Sequence, residues 1–250
     1  MSLFSSGSEE LRIYRGEDYV INEHIVVHTP TLDEICNYGE DEYFSLIHFL
    51  AATPTDLCYQ LWDLGFDYTT ISDYVLFSQL ISKMFPPEKT SIIFGRLDFT
   101  KFRLKAHPNN KGEIVMEYPD GSWYIDECTY EILVDYLRKV HFLEKNVAIP
   151  ANESTKMVLI EDARDEALIK SRNHKHSSLL NMISAMVNSE GFKYNHNEVW
   201  NLKINVFMDS VMRIGKIKNA SLLLQSGYSG FGINLKEVDQ KQLNWMGGLY

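Results

Sequence analysis

The chain has 250 residues, of which 45% are apolar and 23% charged, with a formal net charge of −10. Those proportions match ordinary globular proteins and exclude a chain that is disordered throughout. The longest apolar runs are four residues, as in Tyr74-Val75-Leu76-Phe77 and Met157-Val158-Leu159-Ile160, far below the roughly 20 that a membrane-spanning helix needs.

Met1 to Glu10 is polar, reads as a frayed end and carries no secretory signal. Leu11 to Val27 reads as a short extended pair, with Leu11 and Ile13 in one arm and Tyr19-Val20-Ile21 and Ile25-Val26-Val27 beyond. Thr31 and Glu34 have capping-box spacing behind Pro30, so a helix is predicted from Asp33 to about Tyr38. Gly39 sits where a left-handed C-cap is wanted. A buried helix over Asp41–Ala52 follows, carrying Tyr43, Phe44, Leu46, Ile47, Phe49 and Leu50. Thr53-Pro54-Thr55-Asp56 restarts the chain and Gly65 ends that helix. Ser72 caps a further helix that Pro86-Pro87 terminates.

At Pro86 the pattern changes. Ser91–Phe94, Phe99–Ala106 and Glu113–Tyr118 read as strands, and Pro119-Asp120-Gly121-Ser122 as a turn into a return strand at Trp123–Ile125. Asp126 caps a helix bearing Tyr130, Leu133, Val134, Leu137 and Val140, and 146–154 reads as a linker. Helical spacing resumes from Thr155, again over Ser177–Asn188 with Gly191 closing it, and over a long helix from Asn197 through Leu222. The expected fold class is α+β, mainly helical, with a small antiparallel sheet at about 88–126. The regions are 1–87 (acidic, strand plus helices), 88–150 (a small α+β insert), 151–226 (helical) and 227–250 (a flexible loop and a short C-terminal turn).

No phosphate loop, dinucleotide fingerprint, nucleophile elbow or zinc-protease motif is present, so no catalytic, cofactor-binding or metal residue is assigned and the chain is not expected to be an enzyme. Cys36, Cys58 and Cys128 are too scattered for a disulfide framework or a zinc site, which suggests a reducing compartment. Cys36 and Cys58 read as small semi-buried hydrophobes, and Cys128 lies at a helix start. His174 and His176 have the wrong spacing to share a metal from a helix and read as solvated turn residues. Glu161, Asp162, Asp165 and Glu166 read as a mixed-charge exposed face with Arg164, Lys170 and Arg172.

The charge is unevenly placed. Residues 1–150 hold 12 Lys+Arg against 24 Asp+Glu (−12) and residues 151–250 hold 12 against 10 (+2). From Gly16 to Ser82, 67 residues contain twelve acids and neither Lys nor Arg. Such a stretch disfavours nucleic acid, whose phosphates need cations, and suits a basic protein partner. A merely solvated acidic surface is the plain alternative. Trp62, Phe66, Tyr68, Tyr74 and Phe77 lie in the same stretch; Trp62 and Phe77 read as core, while Tyr68 and Tyr74 fit either core or an interface. The candidate partner-binding residues are Asp41, Glu42, Asp63, Asp67, Tyr68 and Tyr74.

Ile25-Val26-Val27-His28-Thr29-Pro30-Thr31-Leu32-Asp33-Glu34-Ile35, with Tyr38-Gly39-Glu40-Asp41-Glu42-Tyr43-Phe44, resembles a pattern in small proteins of tailed phages and prophages of low-GC Gram-positive bacteria. Leu222 to Gly230 and Leu243-Asn244-Trp245-Met246 resemble the same group, the tail assembly chaperone kind. The resemblance covers about a quarter of the chain, at its two ends. It implies a non-enzymatic protein that coats other tail components and keeps them soluble until they polymerise, in the host cytoplasm or, failing that, retained in the virion. Its implied partners are phage tail proteins with basic surfaces, with no nucleic acid, membrane or cofactor. The competing readings are an acidic inhibitor or nucleic-acid mimic aimed at a basic host protein, and a structural component of the virion.

Overall fold

A computed structural model describes residues 7–110, 112–172, 177–229 and 232–249. It is a mainly helical α+β fold with one two-stranded and one three-stranded antiparallel sheet. Helix α1 (Gly7–Tyr14) precedes β1 (Tyr19–Val20) and β2 (Val26–Val27), which pair antiparallel. Leu11 and Ile13 are therefore helical, not extended: only Ile13 turns inward, and Gly16 takes φ 69° to leave the helix.

The capping box forms at the start of α2 (Leu32–Tyr38). Thr31 accepts from the Glu34 N–H, and the Glu34 carboxylate accepts from the Thr31 N–H at 2.7 Å. Gly39 links α2 to α3 (Glu40–Ala51) at φ 110°, ψ 120°, a positive-φ conformation outside the left-handed helical well. A Cβ there would fall on the Glu42 carboxylate. α4 (Cys58–Asp63) follows, with Gly65 at φ 84°. Ser72 caps α5 (Asp73–Leu76), which runs on through a π turn at Phe77–Ile81 into α6 (Ser82–Met84).

Ser91–Phe94 is a correction to the strand reading, because α7 spans Pro87–Phe94. Pro87 at the first helical turn presets φ and loses no bond there. A run as short as Ile92-Ile93-Phe94 does not by itself distinguish strand from buried helix. The sheet proper is β3 (Arg103–Ala106), β4 (Ile114–Glu117) and β5 (Tyr124–Ile125) in that order. Phe99–Lys101 is a 3₁₀ turn because the Asp98 carboxylate accepts from the Thr100 N–H and closes it.

α8 (Glu127–His141), capped by Asp126, is the central helix. It buries Tyr130, Leu133, Val134, Tyr136, Leu137 and Val140 against α3, α5 and α11. Two of its buried polar side chains bond within the chain. The Arg138 guanidinium donates to the Ala51 carbonyl through Nε (3.2 Å) and Nη2 (2.7 Å), closing the end of α3. His141 is buried, with Nδ1 2.8 Å from the Leu137 carbonyl and Nε2 2.6 Å from the Tyr43 hydroxyl. That geometry has Nδ1–H donating and Nε2 accepting, so the ring is neutral, and burial holds its pKa down at about 4.

The segment 143–150 carries no regular structure, yet it is tied down where the Asn146 amide donates to Asp56 (2.9 Å) and the Thr55 hydroxyl to the Ala148 carbonyl. α9 (Glu153–Arg172) packs on α4, and α10 (Ser178–Val187) is capped by Ser177 and followed by Gly191 at φ 95°. α11 (Ile204–Tyr228) begins later than Asn197 because residues 202–203 are extended beside 30–32. There the Leu32 N–H donates to the Leu202 carbonyl, and the Ile204 N–H to the Pro30 carbonyl. The helix also continues through Gly227 to Tyr228, inside the stretch expected to be loop, before the short α12 (Gln240–Leu243). The buried side chains form one continuous cluster from Ile13 to Phe207, with Tyr43, Phe77, Tyr136 and Phe207 fully enclosed.

Candidate functional site

The cation-free segment has two differently treated ends. At the 56–73 end, cations arrive from elsewhere in the chain. Arg164 donates to Asp63 at 2.5 Å, Lys156 to Asp67 at 2.8 Å and Lys145 to Asp73 at 2.7 Å. Arg138 lies 4.0 Å from Asp73. The bond from Lys156 and those from Thr69 pull the Asp67 carboxyl down to about 2. Lys156 itself is buried beneath the Trp62 ring, 5.5 Å from its centroid.

At the 33–42 end the acids stay at the surface. Asp33, Asp41 and Glu42 occupy the first turns of α2 and α3, where helix N-termini favour negative charge, and all three are exposed. Glu40 is turned inward, accepting from the Leu179 N–H (2.9 Å) and the Ser177 hydroxyl, and so joins α3 to α10. His28 stands between Asp18 (2.7 Å) and Glu34 (3.2 Å).

The six candidate residues are therefore not brought together as one face. Asp41 and Glu42 are exposed, whereas Asp63 and Asp67 are held in ion pairs. Tyr68 and Tyr74 are 2% and 6% exposed and belong to the core, which corrects the interface reading. Their hydrophobic neighbours enclose the rings, and the Tyr74 hydroxyl donates to the Ile125 carbonyl at 2.7 Å; burial pushes its pKa up to about 12. Trp62 packs half-buried on the core and Phe77 is fully buried, as their reading required. Cys36 is exposed in place of semi-buried, because it falls on the outer face of α2; Cys58 is buried and Cys128 exposed. On α9, Lys170 pairs with Glu166 at 2.8 Å. Among the described residues no cluster of His, Cys, Asp and Glu has the geometry to hold a metal. His174 and His176 lie outside the described residues.

A cleft lies where α5 meets α8 and the segment after it. This cleft, about 570 Å³, is walled by Asp73, Glu127, Glu131, Asp135, Arg138 and Lys145, with Ser72, Tyr74, Tyr130 and Val134 beneath. It runs on past Ser72, Tyr74 and Glu127 towards Glu113 and Ile114 of the hairpin. In the other direction it passes Asp73 and Lys145 to Ile71, Val147 and Ile149. Sequence reasoning missed this groove. Its one legible signal is the four-residue spacing of Glu127, Glu131 and Asp135, which puts three carboxylates along one helix face.

No protein-family model, curated protein or solved structure matches the chain. No helix among the described residues is long and apolar enough to cross a membrane.

Proposed function

We propose that this chain is a bacteriophage assembly protein of the tail assembly chaperone kind, acting by protein–protein contact and not by catalysis. The observation that carries the reading is the split within the acidic segment. Arg164, Lys156 and Lys145 are drawn to Asp63, Asp67 and Asp73, while Asp33 and Glu42 stay exposed at the α2–α3 corner. An acidic surface of this kind steers a basic partner by raising the association rate, and salt weakens it over a screening length of about 8–10 Å. Large apolar side chains at the surface, among them Val147, Ile149, Leu222 and Tyr228, supply contact area of the sort a chaperone needs. The site of action on this reading is the host cytoplasm, with the virion as the alternative.

The test is association kinetics between the purified protein and each tail protein of the same phage, at low and moderate salt. The variant is Asp33→Lys with Asp41→Lys and Glu42→Lys. The expected result is a tail protein whose association slows at least tenfold in the triple variant and loses its salt dependence, with dissociation little changed. Absence of binding to every tail protein overturns the reading, as does an unchanged rate in the variant. Binding of a host nucleic-acid enzyme in their place replaces it with the acidic-inhibitor reading.

A further inference from the structure

We propose that the groove along α8 is a docking site for an extended, lysine- or arginine-bearing segment of a partner protein. The proposal rests on the protein-binding reading above and adds a second, separate surface to it.

Charge is the first argument. The cleft wall holds four carboxylates, Asp73, Glu127, Glu131 and Asp135, against two cations, Arg138 and Lys145. Both cations are already engaged. Arg138 spends Nε and Nη2 on the Ala51 carbonyl, and Lys145 is 2.7 Å from Asp73. Glu127 and Glu131 are exposed and have no Lys or Arg partner among the described residues. The wall therefore keeps uncompensated negative charge facing the cavity.

Tyr130 is the second and independent argument. The residue is 2% exposed and lines the cleft, yet its hydroxyl makes no hydrogen bond among the described residues. Tyr130 shares the cleft lining with Asp73, Glu131, Asp135 and Arg138. Because Tyr130 lines the open cleft, that hydroxyl is completed by water, which a ligand group can displace. The oxygen of a neutral phenol ringed by carboxylates accepts well from an ammonium or guanidinium group.

Shape selects an extended chain over a single small cation. At 1.5 Å per residue, carboxylates four positions apart on α8 lie about 6 Å apart along its axis. Alternate side chains of an extended chain repeat at about 6.6 Å. A segment with Lys or Arg at every second position thus matches Glu127 and Glu131 in register, with Asp135, 3.8 Å from Arg138, next along the helix. The apolar continuation past Val147 and Ile149 receives what flanks it.

The experiment titrates a fluorescent hexapeptide of alternating Lys and Ser into the full chain, with spermidine as competitor. Four proteins are compared: the parent, Tyr130→Phe, Glu127→Gln/Glu131→Gln, and the α2–α3 triple Lys variant. Tyr130→Phe removes a hydroxyl that supports nothing internal, so its melting temperature should equal the parent's while its peptide affinity falls about tenfold. The double Gln variant should lose at least as much, the α2–α3 variant should keep groove binding, and spermidine should displace the peptide only at far higher concentration. No peptide binding to the parent, or equal binding by Tyr130→Phe, overturns the groove. Loss confined to the α2–α3 variant overturns it too, but leaves the acidic-corner reading standing. Displacement by spermidine at the peptide's own concentration overturns the choice of a protein segment.

Discussion

The two ends of one acidic segment are held by different physics. The 56–73 end is held by charge: Asp63, Asp67 and Asp73 each meet a Lys or Arg from α8, α9 or the segment between them. The 33–42 end is held mainly by packing and hydrogen bonds, with Lys203 4.0 Å from Glu34. Tyr43 is clamped onto His141, Glu40 caps α10, and the outward acids pay only the small cost of exposed like charges near helix N-termini. Ion pairs neutralise; hydrogen bonds and burial do not. At the second end Asp33 and Glu42 are exposed with no Lys or Arg in ion-pair range among the described residues.

Acid should separate the two ends most sharply. His141 titrates at about 4 when folded against an ordinary 6.5. Its contribution is complete above pH 6.5 and is lost as pH falls from 6.5 to about 4, because the unfolded chain takes up the proton first. The loss amounts to about 3 kcal/mol at pH 4. Asp67, also depressed, keeps its contribution until pH falls from 3.8 towards about 2. Denaturant melts between pH 7 and pH 4 should therefore show a falling stability that His141→Gln flattens, with histidine NMR showing a neutral ring at pH 5. A His141 that titrates near 6.5 in the folded protein would break the comparison.

The second effect in size is at the joint of the 33–42 end. Gly39→Val places a β-branched side chain at φ 110° and against the Glu42 carboxylate, and should cost about 1–2 kcal/mol in a urea melt. An unchanged midpoint would mean that the corner rearranges freely.

Charge reversals should then rank the ends. Asp67→Lys sets a second ammonium beside buried Lys156, so its melting temperature should drop clearly, and more so at low salt. Glu42→Lys replaces an exposed acid in the first turn of α3 and should cost no more than about 1 kcal/mol, the size of a helix-dipole contribution. Equal losses in both would mean that Glu42 serves the fold and not a partner.

Much of the fold was legible because its signals act within one helical turn. Thr31 with Glu34, Ser72, Asp126 and Ser177 all cap the helices that their positions announced. The Pro119–Ser122 turn returns the chain as β5, and Gly39, Gly65 and Gly191 all take positive φ. A mainly helical α+β chain with a small antiparallel sheet follows from such local chemistry. What local chemistry left open was settled by contacts distant in sequence. Pro87–Phe94 is helical because Pro87 starts a turn that the fold completes, with the Ile93 carbonyl accepting the His28 N–H. Tyr68 and Tyr74, ambiguous as a pattern, are buried by elements that arrive later in the chain. The acidic segment looked uniform because its cations lie 101 residues away for Asp63 and 89 for Asp67. Pairing at that separation depends on where α9 packs, which no window of neighbouring residues encodes. Sequence determined where the capped helices start; tertiary packing decided which acids are paired within the protein and which face outward.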